Sequence, residues 1–140
     1  MKQTKSTKLK DIKREWHLID VKKKILGRVA SDIALLLMGK SKPDFVRNLD
    51  LGDYVVVINA KEVKVTGNKE KLKKYYRHSG YPGGFKEETL SDLRQRKSKD
   101  VIIHAVSGML PQNKLKKQML NRLHVFKAGE HDYKDKFTKI

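Results

Sequence analysis

The chain has 140 residues, a length that fits one domain with a sizeable core. Its 33 Lys and Arg against 16 Asp and Glu leave a formal net charge of +17, which opposes compaction and draws anions, nucleic acid first and an anionic membrane surface second. The absence of cysteine excludes disulfides, thiolate metal sites and cysteine nucleophiles and fits a reducing compartment, and no apolar stretch approaches the roughly 20 residues of a spanning helix.

Residues 1–15 carry six basic side chains, little apolar content and no apolar signal region behind them, which predicts a basic extension that is disordered alone and able to fold onto RNA. The ordered domain is expected from 16 to 131, with 132–140 as a C-terminal tail. Trp16-His17-Leu18-Ile19 reads as a first strand and 20–24 as a polar turn. Val29, Ala30, Ile33, Ala34, Leu37 and Met38 recur at helical spacing, so 26–38 is a helix that Gly39 closes. A loop with Lys40, Lys42, Pro43 and Arg47 follows. Gly39-Lys40-Ser41 echoes a phosphate-binding loop. That motif needs a glycine where Ala34 stands, and a strand before it rather than a helix, so nucleotide binding is rejected.

Tyr54 to Ile58 is an unbroken apolar run with four β-branched residues, which predicts a central strand covered on both faces. Lysines recur immediately behind it from Lys61 to Lys71, around a turn at Thr66-Gly67-Asn68. Lys73 to His78 reads as a third strand, flanking the central one. In Ser79-Gly80-Tyr81-Pro82-Gly83-Gly84, three glycines in six residues permit a close backbone approach. Tyr75, Tyr76, Arg77, His78 and Tyr81 interleave rings that can stack on unpaired bases with cations that can hold phosphate. Two helices follow, a polar one from Thr89 to Lys97 with Leu90 and Leu93 inward, and an apolar one that Asp100 caps. A further helix from Lys114 to Arg122 buries Leu115, Met119 and Leu120. It presents Lys114, Lys116, Lys117 and Arg122 as one cationic sector, with no carboxylate between Asp100 and Glu130 to neutralise it. His124-Val125-Phe126 reads as a fourth strand. The five histidines, His17, His78, His104, His124 and His131, are scattered and lack a helical H-x-x-x-H pair, so neither a metal site nor a catalytic set is expected.

With these stretches in place, the chain resembles the bacterial family of large-subunit ribosomal protein number thirteen. The matching residues are Trp16 with Asp20, Leu26-Gly27-Arg28, Gly39-Lys40, Gly52-Asp53-Tyr54, Ile58-Asn59-Ala60, Val65-Thr66-Gly67-Asn68-Lys69, Tyr76 with His78 to Gly84, and Gly108-Met109-Leu110-Pro111. Each is weak alone; their common order from 16 to about 131 is specific. The resemblance implies a single-domain, three-layer α/β/α fold on a four-stranded parallel sheet. It also implies a structural, non-enzymatic role in the ribosome of the cytoplasm. There the protein would bind large-subunit rRNA and neighbouring large-subunit proteins and support early assembly and translation, with no cofactor, metal, membrane or small-molecule substrate. A free RNA chaperone or translational repressor would use the same surface.

The expected rRNA contacts are Arg14 in the extension, Arg28 on the first helix, and Lys40, Lys42 and Arg47 in the loop after it. They continue with Lys69, Lys73, Arg77, His78, Tyr81 and Lys86 around the glycine loop, then Lys114, Lys116, Lys117 and Arg122, and finally Lys127 and His131. Family members commonly carry a proline near Arg47, Gly-Arg where Lys116-Lys117 stand, Tyr at Phe126 and His-Pro-His at His131-Asp132-Tyr133. The lysine pair keeps the charge without the planar guanidinium fork.

Overall fold

The computed structural model describes residues 7–137; residues 1–6 of the expected extension and 138–140 of the expected tail lie outside the described residues. Three parallel strands, β1 (Trp16–Asp20), β2 (Tyr54–Ile58) and β5 (Leu123–Val125), form a sheet with β2 in the middle. Val55, Val56 and Val57 are all 0% exposed, as a strand without a wet face requires.

The register sets the two faces. His17 lies beside Val55, and Val55 beside Leu123, so Ile19, Val55, Val57, Leu123 and Val125 share one side. They pack against α1 (Leu26–Met38), α3 (Leu90–Met109) and α4 (Lys116–Asn121) through Ile33, Leu37, Ile102, Val106 and Met119. Val56 points to the reverse side. Trp16 stacks on Tyr54 at 4.3 Å, and Tyr133, from the stretch expected to be a tail, stacks on Trp16 at 5.1 Å and on His124 at 4.6 Å. Phe137 meets Trp16 edge-on at 6.4 Å. An aromatic cap covers this face as far as Leu18, which stays 46% exposed.

The expected four-stranded sheet is corrected to three strands. The segment 73–78 does not flank β2. It forms β3 (Lys74–His78), which pairs antiparallel with β4 (Phe85–Thr89) in a separate two-stranded hairpin. The reason is polarity: a parallel strand inside such a sheet needs apolar side chains on both faces, and Lys74 and Arg77 place a cation on each. The neighbour of β2 opposite β1 is β5 instead.

Backbone proximity fixes how α1 meets the sheet. Gly39 takes the left-handed conformation (φ 73°), and the N–H groups of Gly39 and Lys40 close the helix on Leu36 O and Leu35 O. A Cβ at Gly52 would sit 1.7 Å from Leu37 O, so the chain entering β2 passes directly over the end of α1. α2 (Lys69–Leu72) is a single turn leading into the hairpin. α3 is two helical stretches joined across a non-helical residue, Lys97 (φ −142°, ψ 72°), in line with the two helices expected. The break falls where the first expected helix ends, and Asp100 lies beyond it, inside the second stretch. The cap is the reciprocal Thr89–Asp92 box at the start of α3. α4 is shorter than 114–122, beginning at Lys116.

Candidate nucleic-acid interface

The β3–β4 hairpin has two chemically different faces, because side chains alternate across its strands. On the side toward α3, Tyr75 lies 5.3 Å from the His104 ring and Glu88 accepts two hydrogen bonds from Arg96 at 2.6 and 2.7 Å. The same side carries Arg77 directly opposite Lys86. Like charges paired across strands destabilise a sheet. Arg77 and Lys86 have no carboxylate partner among the described residues, whereas Lys74 bonds Glu87 at 3.1 Å and Arg96 bonds Glu88. The bond to Glu87 holds the Lys74 ammonium above its usual range, and burial pushes the Tyr75 hydroxyl up as well. A groove of about 670 Å³ between hairpin and α3 is lined by Arg77, Lys86 and Lys97 among others.

On the outer side, Tyr76 and Phe85 stack at 5.7 Å with 22° between planes, and they are 65% and 57% exposed. The connecting loop is tied down. Ser79 N–H donates to Gly84 O at 3.3 Å, Gly84 N–H to Tyr81 O at 2.9 Å, and Gly80 N–H to His78 Nδ1 at 2.9 Å. Gly80 and Gly83 take positive φ of 87° and 72°, and a Cβ on Gly84 would lie 2.1 Å from Ser79 Oγ. Tyr81 projects from this loop, 76% exposed. Because Nδ1 of His78 accepts a hydrogen bond, its neutral ring carries the proton on Nε2.

A second group of expected contact residues is held by carboxylates. Arg122 is 5% exposed. Its guanidinium forks onto Asp50, with Nη2 at 2.5 Å from Oδ1 and Nη1 bonded to Oδ2, and it also donates to Leu37 O at 3.1 Å. This corrects the reading of Arg122 as part of a cationic surface sector. Its neutralising carboxylate comes from 72 residues earlier in the chain, outside any local window. Arg14 donates to Asp50 O at 3.2 Å and pairs with its carboxylate at 3.7 Å. Lys42 Nζ donates to Asp53 Oδ1 at 2.5 Å, Lys13 O at 2.8 Å and Leu51 O at 3.1 Å. Burial pushes the Asp53 carboxyl up, but hydrogen bonds from Lys42, the Glu15 N–H and His17 outweigh it and hold Asp53 below the usual range. Glu15, His17 and Asp53 stand close enough to share a metal ion. The Lys42 ammonium already sits on Asp53 and supplies the positive charge there.

The other expected contacts divide by position. Arg28, Lys40, Arg47, Lys69, Lys114, Lys117 and Lys127 are exposed. Lys73 is exposed too, with its ammonium 5.4 Å from the Tyr75 ring centre. Lys116 is half-buried and donates to Gln112 at 2.8 Å. His131 belongs to the aromatic cap, 5.6 Å from Phe137. Sequence reasoning missed Phe85 and Lys97 as surface groups of this interface. Gly83-Gly84 between two runs containing aromatic residues is a hairpin signal that could have found Phe85.

Comparison with known proteins places this geometry in a family. The model of the family described as ribosomal protein L13 matches residues 14–132. A large ribosomal subunit protein uL13 of Dehalococcoides mccartyi is 55% identical over 130 residues, covering 93% of this chain and 91% of the relative. The uL13 of Lawsonia intracellularis is 52% identical over 131 residues, 94% of this chain and 91% of its own length. That of Syntrophus aciditrophicus is 44% identical over 138 residues, 99% and 97% of the two chains. Matches of this extent, with the Gly39–Gly52 backbone crossing and the His78–Gly84 loop both inside them, mean that the chain belongs to the ribosomal protein L13 family.

Proposed function

We propose that this protein is a structural, non-enzymatic constituent of the large ribosomal subunit. It binds large-subunit rRNA mainly through phosphates, beside neighbouring large-subunit proteins, and supports early subunit assembly and translation in the cytoplasmic ribosome. Its relatives carry the name of a large-subunit protein over nearly their whole length. The observation that carries the RNA reading is the uncompensated Arg77–Lys86 pair, held across the two strands of the hairpin in a chain of net charge +17. A pair that repels itself in the free protein is relieved by a polyanion.

The contacts extend to the exposed cations Arg28, Lys40, Arg47, Lys69, Lys73, Lys114, Lys117 and Lys127, with His78 and Tyr81 at the loop. Arg14, Lys42 and Arg122 are withdrawn from that role, since carboxylates already hold them. The test is recovery of the protein in purified large subunits, together with rRNA affinity that falls steeply as salt rises, because each neutralised phosphate releases counterions. Finding it only free of subunits would favour a chaperone or repressor; salt-independent binding would contradict phosphate contact.

A further inference from the structure

The outer face of the hairpin is not core. Tyr76 and Phe85 lie nearly parallel and are more than half exposed, so folding gains little from burying them. Large aromatic rings left in water beside cations form a surface with a free π-face, which is what an unpaired nucleobase stacks on. Three features favour a base over an apolar protein surface as the occupant. Arg77 and Lys86 lie on the same strands, one residue along from Tyr76 and Phe85, and point to the opposite side. The rings lie one backbone width from the cations that would take the neighbouring phosphate. The loop that joins the strands is fixed by four internal hydrogen bonds, so the rings are presented rather than collapsed.

We propose that the Tyr76–Phe85 pair is a stacking platform for one unpaired base of the bound RNA, while Arg77 and Lys86 hold the adjoining phosphate from the groove side. The inference rests on the reading of the chain as RNA-binding and adds to it a class of target: a nucleotide displaced from a helix, next to folded RNA. A protein that touched phosphates alone would bind a strand with and without bases equally; this one discriminates between them.

The test uses the full chain with two probes, a short oligoadenylate of about ten nucleotides and an abasic ribose-phosphate strand of the same length, each titrated across a range of salt. The wild type is expected to bind the oligoadenylate about tenfold more tightly than the abasic strand. The pair Tyr76→Leu with Phe85→Leu should erase that preference and leave the salt slope as it was. Tyr76→Trp, with a larger ring at the same place, should keep or raise it, and it provides the reading should the leucine pair misfold. Preference that is absent in the wild type, or that survives the leucine pair, overturns the platform. So does a leucine pair that binds both strands like the wild type yet fails to enter large subunits, since the platform would then be docking a protein. Salt-dependent binding to both strands with equal affinity sinks only the platform. Failure to bind either strand sinks the proposed function with it.

Discussion

Around Asp50 and Asp53, the cations Arg14, Lys42 and Arg122 are drawn onto buried carboxylates, Arg122 itself buried and the other two partly exposed; along the hairpin, Arg77 faces Lys86 with no carboxylate between them. The residue types are the same and the chain is uniformly basic, but the two regions use their charge differently. In the first, the charge joins segments far apart in sequence. Arg122 links the end of α4 to the end of α1 and to the strand entry at Asp53, and Lys42 links the N-terminal segment at Lys13 to the same entry. In the second, the charge is left unpaired in the groove toward α3 at an internal cost, on a hairpin that contributes nothing to the main sheet. A basic residue in this fold is therefore assigned by its nearest carboxylate, not by the local density of lysine and arginine.

The largest effect should come from breaking the first region. Arg122→Ala leaves Asp50 buried with only the more distant Arg14, and it strips a donor from Leu37 O. Removing one partner of a buried ion pair costs about 3–5 kcal/mol, which denaturant unfolding would register as a shifted midpoint. Arg122→Lys should recover only part of that, because an ammonium cannot fork onto Asp50 and reach Leu37 O together. A variant as stable as the parent would mean that the guanidinium is dispensable to the fold.

A smaller loss is expected from Asp53→Asn, about 1–3 kcal/mol, since the amide keeps the shape but loses the charge that Lys42 and His17 face. Its pH signature is specific. The Asp53 carboxyl is held below its ordinary value of 3.8 in the folded state, so it contributes stability above that value and loses it as pH falls through the lower, folded one. Thermal melts of Asp53→Asn should lack this acid limb.

His124 adds a step at higher pH. Burial pushes its ring below the ordinary 6.5, so the folded protein prefers it neutral. Stability from this source is complete above 6.5 and is lost as pH falls through the folded pKa, because the unfolded chain takes up the proton first. The aromatic cap should report this directly. Trp16 stacks on Tyr54 and Tyr133, and His124 lies against both Trp16 and Tyr133, so tryptophan fluorescence should change with His124 protonation. His124→Gln should flatten the response; an unchanged fluorescence titration in that variant would place the titrating group elsewhere.

These outcomes also measure how much of the molecule the sequence discloses. β2 is legible because five consecutive apolar residues tolerate no wet face, and α1 because its stripe and terminal glycine agree. β3 is legible as a strand but not as to its partner. Strand propensity is local, whereas membership of the main sheet depends on which strand offers an apolar surface on both sides. The aromatic cap is hidden because Tyr133 and Phe137 sit singly among charged residues, with no periodicity to mark them. Arg122 misleads for the same kind of reason, its partner Asp50 lying in a distant segment. The hairpin cations stand out in the sequence as a cluster, and the structure adds that strand parity divides Arg77 and Lys86 from Tyr76 and Phe85.

The central claim is that cations without a carboxylate bind RNA while those with one hold the fold, and the salt dependence of rRNA affinity for Arg77→Ala with Lys86→Ala tests it most directly. The account predicts stability within about 0.5 kcal/mol of the parent or slightly higher, since the cross-strand repulsion is gone. It predicts weaker binding, with the salt slope reduced by about one for each phosphate no longer neutralised. A double variant that keeps the parent's affinity and slope, or that unfolds, would contradict it.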